Sequence, residues 1–197
     1  MNQNEVVIIF TKNPVYGKVK TRLAAGIGAD KALEIYHELV ACTHSSIKEL
    51  TCDKIVYYSD NIQHNDLWDE GFEKAVQQGA DLGERMHNAF KNVFDLGYKR
   101  AVIIGTDCPS LNAQLVMQAF DKLNTQDVII GPAADGGYYL LGMKTNHDLF
   151  KNIAWSTAGV LDSTIEICKQ LELNYYLLPV LNDIDEEKDL AHMKRYS

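Results

Sequence analysis

Residues 100–111 read RAVIIGTDCPSL and combine a buried strand with a carboxylate just beyond its end. Ala101–Ile104 is apolar and β-branched, which is typical of a strand covered on both faces of a parallel sheet. Gly105 ends this run, and Asp107 follows before the next helix begins. Ligands of open α/β sheets bind outside the carboxyl ends of the strands, so Asp107 is a candidate ligand for a divalent metal. The alternative is that Asp107 only shapes the strand-to-helix turn.

Length and composition set the class of protein. A chain of 197 residues suits a single domain with a full core, so residues 1–197 are expected to form one domain. The formal net charge of −8 argues against a nucleic-acid partner, because nucleic-acid binders usually carry a basic balance. No apolar run is long enough to span a membrane. The chain has neither a secretory signal pattern nor a CxxC pair among its four cysteines, so we expect a cytoplasmic location with reduced thiols.

Apolar strands alternate with amphipathic helices along most of the chain, which predicts an α/β layered fold with a mainly parallel sheet. Two strands follow one another without a helix between them, at 128–131 and 138–143, and this predicts a mixed sheet. The predicted strands are Val6–Phe10, Lys54–Tyr58, Glu73–Gln77, Arg100–Ile104, Val128–Gly131, Tyr138–Met143 and Asn174–Leu178. The predicted helices are Asp30–Leu50, with Asp30 as its cap, Leu82–Asp95, Asn112–Leu123, Thr157–Leu171 and Glu186–Arg195, with Asp185 as its cap.

The segment after the first strand, Thr11–Leu23, reverses the sign of this acidic chain, because it holds four cations and no acid. The cations are Lys12, Lys18, Lys20 and Arg22. Lysine and arginine both suit phosphate oxygens, and Gly17 would let the backbone approach a ligand closely. The segment lacks the P-loop and dinucleotide-binding patterns. It predicts a site for the phosphates of a nucleotide, and the alternative is an ordinary solvated loop.

The segment QQGADLGERM, residues 77–86, has two glycines just before a helix. Asp81 fits an N-cap and Glu84 stands three residues later, as in a capping box, so turn chemistry alone explains the pattern. The functional alternative is a loop whose backbone amides and glutamine side chains contact a base edge.

The segment GPAADGGYYLLG, residues 131–142, contains Asp135 followed by Gly136 and Gly137. Asp-Gly between two apolar runs is a plain hairpin signal, and two glycines also permit a close approach to a bound group. Tyr138 and its neighbour Tyr139 offer phenol hydroxyls to a polar ligand. Trp155 follows soon after and would line the same cleft, unless it serves only in packing.

Two aspartates close the chain in the segment NDIDEEKDL, residues 182–190. Asp185 suits a helix cap, which is a sufficient structural reason for an acid there. Asp183 or Asp185 would also be able to meet Asp107 across a metal, because Mg²⁺ takes only one or two carboxylates beside phosphates and water. Cys108, next to Asp107, is expected to be a buried packing residue rather than a nucleophile.

Five of these motifs occur in an order that resembles a known family. They are FTKNPVYGKVKTRL, QQGADLGERM, GTDCPSL, GPAADGGYYLLG and NDIDEEKDL, and together they cover the chain from Val6 to about Met193. The family is the uncharacterised bacterial glycosyltransferase-like proteins once grouped as a domain of unknown function, which resemble phospholactate and molybdenum-cofactor guanylyltransferases. The resemblance implies a three-layer α/β/α fold with a mainly parallel mixed sheet, of the GT-A or nucleotide-diphospho-sugar transferase type.

The resemblance also implies roles for particular residues. Asp107 is similar to the family's metal aspartate, and Asp185 to its second metal ligand, with Asp183 as the alternative. The residues that resemble nucleotide and phosphate contacts are Lys12, Gly17, Lys18, Lys20, Arg22, Gln78, Gly83 and Arg85. Those that resemble the sugar or acceptor side are Asp135, Gly136, Gly137, Tyr138 and Trp155, with Asp135 as the residue that orients the acceptor or acts as general base.

Taken together, these features lead us to expect a transferase that depends on Mg²⁺ or Mn²⁺, with a nucleotide-sugar donor and a small-molecule acceptor. The alternatives are a nucleotidyltransferase that releases pyrophosphate and a catalytically silent nucleotide-binding regulator. The first loop has Lys12-Asn13-Pro14 where sugar nucleotidylyltransferases have a glycine-rich GxGxR pattern, which favours glycosyl transfer.

Overall fold

The computed structural model of the protein describes residues 4–193, and within them seven strands form one sheet. The strands are β1 Glu5–Thr11, β2 Asp53–Tyr58, β3 Glu73–Val76, β4 Arg100–Ile104, β5 Val128–Pro132, β6 Tyr138–Met143 and β7 Tyr175–Leu177. The helices are α1 Thr21–Ile27, α2 Ala29–Ile47, α3 Leu82–Asp95, α4 Ala113–Lys122 and α5 Val160–Gln170, and a closing 3₁₀ helix spans Glu187–His192. No helix within residues 4–193 is both long and apolar enough to cross a membrane.

The strand order is β3-β2-β1-β4-β6-β5-β7. All the strand pairs are parallel except those of β6, which runs antiparallel to both β4 and β5. The exception follows from the short connection between β5 and β6, because a parallel pair needs a long crossover and a hairpin does not. The mixed, mainly parallel sheet predicted from the sequence is therefore confirmed.

The sheet is buried on both faces, and successive residues of the central strand β1 alternate between two cores. Val7 and Ile9 pack with α2 and α4, while Val6 and Ile8 pack with α3 and α5. This alternation follows from the two-residue period of a strand. Because helices cover both faces, the expected three-layer α/β/α architecture is confirmed.

The helix boundaries differ from the prediction at both ends of the chain. A short helix that was not predicted, α1, precedes α2, and Gly28 with φ 89° joins the two. Gly28 is therefore the N-cap of α2, and Asp30 lies inside its first turn rather than capping it. Glycine reaches this positive φ without steric cost, which lets the chain begin a second helix at once.

The predicted final helix, Glu186–Arg195, is a 3₁₀ helix in its described part, and residues 194 and 195 lie outside the described residues. The predicted cap, Asp185, is wrong. Glu186 is the cap, and it exchanges side-chain bonds with Asp189 in a capping box. The side chain of Asp185 is instead bound by two cations of the first loop.

Candidate active site

A cavity of about 400 Å³ opens at the carboxyl ends of β1 and β4. It lies where the ligand sites of open α/β sheets are found. Its wall includes seven of the predicted site residues, namely Lys12, Lys20, Arg22, Asp107, Tyr138, Asp183 and Asp185. The basic first loop, the segment after β4 and the closing acids therefore meet in one place, although they are far apart along the chain.

Lys20 is at the centre of this meeting point. Its ammonium nitrogen lies 2.6 Å from Oδ1 of Asp107, 2.7 Å from the carbonyl oxygen of Ile184 and 3.3 Å from Oδ1 of Asp185. The Lys20 side chain is only 4% exposed. An ammonium group has three N–H donors, so these three oxygens use all of its donor capacity. The sequence suggested a phosphate contact for Lys20, but its ammonium contacts the acids here.

The backbone holds the two acidic segments in register. The amide of Ile184 donates to the carbonyl of Asp107 over 3.0 Å. Ile184 itself is fully buried and packs with Leu23 of α1. The apolar residue between Asp183 and Asp185 thus anchors the closing acids against the first loop, and it fixes where both carboxylates point.

The other cations of the first loop divide into two groups. Arg22 places a guanidinium nitrogen 3.5 Å from Oδ2 of Asp185 and keeps 64% of its side chain exposed, and Lys12 lines the cavity. Both can reach a ligand from the solvent side. Gly17 and Lys18 are exposed and lie outside the cavity wall, because Gly17 with φ 71° belongs to a turn that carries this part of the loop outward.

Asp183 is the acid whose proton affinity is most disturbed. Burial, and then the charges of Asp107, Asp135 and Asp185, raise its pKa to about 7, while Lys20 opposes the shift. Its Oδ1 atom is buried and has no hydrogen-bond partner among the described residues. A buried carboxylate oxygen without a partner is costly. The acids at this site thus carry more negative charge than the nearby cations compensate.

The donor set at this site suits a hard divalent cation, since it consists of carboxylate and carbonyl oxygens. Within residues 4–193, however, no group of three or more His, Cys, Asp or Glu side chains is already arranged to hold a metal ion. The cation that Asp107 and Asp185 bind here is the Lys20 ammonium, which lies 2.6 Å from Oδ1 of Asp107 and 3.3 Å from Oδ1 of Asp185.

Cys108 also lines the cavity but has no nucleophilic character. It is 3% exposed, and burial raises the pKa of its thiol to about 12. A thiol rather than a thiolate is present at neutral pH, and only the thiolate is a nucleophile. The expectation that Cys108 is a packing residue agrees with this environment.

The segment before α3 forms the helix cap that the sequence predicted. Oδ1 of Asp81 accepts from the amide of Glu84 over 2.9 Å, and Oε2 of Glu84 accepts from the amide of Ala80 over 2.8 Å. The second bond goes to Ala80 rather than to the cap residue itself, as it would in a standard capping box.

In the same segment, the glutamine that lines the cavity is Gln77 and not the predicted Gln78. Its amide nitrogen donates to the carbonyls of Tyr57 and Thr11, which fixes the side chain. Arg85 lies outside the cavity wall and donates to the carbonyl of Gly79 over 3.2 Å. Gln77 directly follows β3. The sequence could not indicate which of the two adjacent glutamines, Gln77 or Gln78, faces the cavity.

Gly83 and Trp155 contact each other and lie outside the cavity wall. A Cβ atom on Gly83 would be 2.6 Å from the indole ring of Trp155, so only glycine allows this approach. Trp155 thereby holds the loop before α5 against the start of α3. The next residue, Ser156, lines the cavity with a positive φ of 63°.

The hairpin turn at 133–137 is mainly structural in its contacts. Asp135 is exposed, and its Oδ1 accepts from the amide of Gly137 over 2.9 Å. Gly136, with φ 91°, packs beneath the carbonyl of Ala158, where any side chain would collide. None of these three turn residues forms part of the cavity wall.

The hydroxyls of Tyr138 and Tyr139, which were predicted to be available to a ligand, have other surroundings in the structure. The hydroxyl of Tyr138 is buried near Thr164 of α5, and burial raises its pKa. The hydroxyl of Tyr139 donates to the carbonyl of Pro179 over 3.0 Å. The expectation of two available hydroxyls is therefore wrong, although both tyrosines line the cavity.

One cavity residue that sequence reasoning missed is Tyr36, a buried residue of α2. Its hydroxyl donates to the carbonyl of Lys12 over 2.5 Å and lies 2.9 Å from Oγ1 of Thr11. Burial, above all, raises the pKa of Tyr36 to about 12. Tyrosine at a helical spacing gives the same signal for packing as for a polar contact, so the sequence could not separate the two.

Comparisons with known proteins agree with this architecture. A family model described as "Uncharacterized protein conserved in bacteria (DUF2064)" matches residues 43–157. The crystal structure of a candidate nucleotide-diphospho-sugar transferase from Desulfovibrio desulfuricans G20 superposes with a TM-score of 0.88 and 36% sequence identity, over 99% of this chain and 87% of that chain. A comparison with curated proteins found no match.

Two more distant structures share the fold. One is 4-diphosphocytidyl-2C-methyl-D-erythritol synthase from Anaerococcus prevotii DSM 20548, with a TM-score of 0.60 and 8% identity over 95% of this chain and 93% of that chain. The other is Rv0371c of Mycobacterium tuberculosis H37Rv in complex with manganese, with a TM-score of 0.55 and 11% identity over 98% of this chain and 100% of that chain.

The comparisons support an enzyme of the transferase class. The match over more than half of the chain and the Desulfovibrio relative agree with the resemblance drawn from the five motifs. This chain belongs to the bacterial DUF2064 family, which shares the GT-A-like fold of the nucleotide-diphospho-sugar transferases.

Proposed function

We propose that this protein is a metal-dependent transferase that moves a glycosyl group from a nucleotide-diphospho-sugar to an acceptor. The observation that carries the proposal is that cations and acids face one cavity at the carboxyl edge of the sheet. Lys12 and Arg22 provide positive charge for phosphate oxygens, and Asp107 and Asp185 provide oxygens for a divalent ion. The relative from Desulfovibrio, described as a candidate nucleotide-diphospho-sugar transferase, supports this donor class.

The residues present fit Mg²⁺ or Mn²⁺. Asp107 and Asp185 would hold the ion, and Asp183 is a further candidate because its buried Oδ1 has no partner among the described residues. When bound, such an ion neutralises charge that develops on a leaving diphosphate. The manganese complex of Rv0371c shows that a protein of this fold binds that metal.

The chain's own side chains then have distinct tasks. The guanidinium of Arg22 and the ammonium of Lys12 bind and orient the diphosphate, and their fixed charge favours its departure. A cavity of about 400 Å³ is within the size range of small-ligand sites. The donor's base would lie on the side of Gln77, next to Arg85 and the cap of α3.

The acceptor would enter from the rim formed by the hairpin turn and the loop that carries Trp155. Asp135 stands exposed on that turn, near enough to Asp183 for its charge to raise the pKa of Asp183. We assign Asp135 the task of orienting the acceptor hydroxyl or accepting its proton. We propose that the chain acts as one domain in the cytoplasm.

Nucleotidyl transfer is the second candidate. The fold match to a 4-diphosphocytidyl-2C-methyl-D-erythritol synthase favours it. In that reaction the same cations would bind a nucleoside triphosphate, and pyrophosphate would leave instead of a nucleoside diphosphate. The two candidates share a site and differ in the bond that breaks.

The products separate these candidates. Purified protein is incubated with Mn²⁺, with each common nucleotide-sugar or nucleoside triphosphate, and with a panel of sugar and hydroxy-acid acceptors. Release of a nucleoside diphosphate supports glycosyl transfer, and release of pyrophosphate supports nucleotidyl transfer. Nucleotide binding without turnover would refute both and indicate a silent regulator.

The variant Asp107→Asn tests the role of the acids without changing the size of the side chain. We expect turnover to fall by at least about 100-fold, which is the typical effect of removing one group that stabilises charge in a transition state. Asp121→Asn, an exposed acid on α4, is the matched control and should keep full activity. Full activity in Asp107→Asn would contradict the proposal.

A further inference from the structure

Lys20 has the environment of a bound cation rather than that of a ligand-binding side chain. Its ammonium is enclosed by oxygens of Asp107, Asp185 and Ile184 at 2.6 to 3.3 Å. Lys20 also adopts a left-handed backbone conformation, with φ 49° and ψ 43°, at the position before α1. This conformation is unfavourable for a residue with a Cβ atom, and such residues persist where the surroundings determine them.

We infer that the Lys20 ammonium is the resident counter-ion of the metal site, and that it and a divalent metal bind the Asp107 and Asp185 carboxylates in exchange. The inference rests on the proposed function, because it concerns the metal of that same site. It assigns to Lys20 a role that differs from a permanent phosphate contact.

Exchange follows from geometry and charge. A metal held by Asp107 and Asp185 would need the carboxylate oxygens that now accept from Lys20. The metal and the Lys20 ammonium would also repel each other strongly if both were bound to the same carboxylates in a partly buried site. A divalent ion can therefore bind between these acids only when the ammonium moves away.

The displaced ammonium needs a new partner. A buried charge that loses its counter-ion is strongly unfavourable, so metal entry alone leaves Lys20 unsatisfied. The diphosphate of a donor, attracted to the same cavity by Lys12 and Arg22, supplies anionic oxygens within the same space. Metal and diphosphate donor should therefore bind cooperatively, and the protein without donor should bind metal weakly.

A single ammonium also satisfies the acids incompletely. Asp183 retains a buried Oδ1 atom without a hydrogen-bond partner among residues 4–193 while Lys20 is bound to its neighbours. Lys20 thus balances the site only in part, as expected for a cation that gives way to one of higher charge.

Mn²⁺ binding without nucleotide tests the exchange, with free Mn²⁺ measured by its paramagnetic resonance signal. We compare the wild type with Lys20→Met, which removes the competing charge. Lys31→Met, an exposed lysine of α2, changes the net charge equally and is the matched control. Lys20→Met should bind Mn²⁺ at least about tenfold more tightly, and Lys31→Met should bind it as the wild type does.

Equal or weaker Mn²⁺ binding by folded Lys20→Met would overturn the exchange and leave the proposed function standing. The proposed function fails separately if Asp107→Asn retains full activity. Failure of every variant to bind Mn²⁺ would overturn both.

A second measurement uses the wild-type protein and so does not depend on the folding of a variant. Lysine side chains are acylated with a water-soluble N-hydroxysuccinimide ester, and each site is quantified by mass spectrometry. Lys20 should be protected without metal and should become several-fold more reactive at saturating Mn²⁺, while Lys31 should not change. Bound Mn²⁺ with Lys20 still protected would overturn the exchange.

Discussion

Replacing Asp183 with asparagine should stabilise the metal-free protein at alkaline pH. The pKa of Asp183 rises from 3.8 to about 7 on folding, mainly because the group is buried and secondly because Asp107 is near. The folded state therefore holds this proton more tightly than the unfolded state. The contribution to stability is greatest below pH 4, falls as the pH rises to 7, and is lost above that.

The size of the effect follows from the same pKa. A rise from 3.8 to about 7 corresponds to about 4 kcal/mol of unfolding free energy once the group is ionised. Asparagine has nearly the same shape and no charge, but its amide must also be desolvated. We therefore expect Asp183→Asn to be about 2–4 kcal/mol more stable than the wild type at pH 8.5, and nearly equal to it at pH 4.

Urea unfolding at pH 4 and pH 8.5, in a buffer with a chelator, measures this difference directly. In thermal unfolding, the same difference in free energy corresponds to an increase in Tm of roughly 4–16 °C for a chain of this size. Asp121→Asn, on the exposed surface of α4, is the control and should change the stability by less than about 0.5 kcal/mol at either pH. The reasoning would be refuted if Asp183→Asn had the same unfolding free energy as the wild type at pH 8.5. It would also be refuted if the variant were more stable by the same amount at both pH values.

Three further predictions concern residues in the cavity wall and in the segment before α3. Gly83→Ala should lower the stability by about 1–3 kcal/mol, because its methyl group would collide with Trp155, whereas Gly105→Ala meets open space and should be nearly neutral in the same urea titrations. Cys108 should resist alkylation by iodoacetamide at pH 8, because burial raises its pKa to about 12, and rapid labelling in the native protein would contradict this. Asp81→Ala should cost about 1 kcal/mol of unfolding free energy through loss of the α3 cap, and no loss would show that the bond to Glu84 is dispensable.

The fold could be predicted from the sequence because its signals are local. The strand Ala101–Ile104 and the helix at 82–95 have strong apolar periods, and the structure places both within one residue of the prediction. The two helices at residues 21–47 were predicted less well. Gly28 is the single residue between them, and a sequence pattern gives no angle between consecutive helices.

The sequence indicated the acids of the candidate site better than it indicated the contacts of the cations. Asp107 follows β4, so strand direction places it at the carboxyl edge of the sheet. Asp185 lies in the loop beyond β7, and its meeting with Asp107 could not be shown from the sequence. Lys20 was grouped with Lys18 by charge, but the two lysines have opposite environments, since one is buried among carboxylates and the other is exposed. Charge in a sequence does not indicate which partner a lysine finds in space.

The antiparallel strand β6 has a consequence for the size of the molecules that the protein can handle. Because β5 and β6 are joined by a turn at 133–137, no crossover helix is needed at that corner of the sheet. The small residues of the turn pack there against the loop before α5, and Asp135 is exposed to solvent. If the protein transfers a glycosyl group as proposed, a long acceptor chain would extend past the turn into bulk water, and the enclosed volume would limit the donor far more than the acceptor.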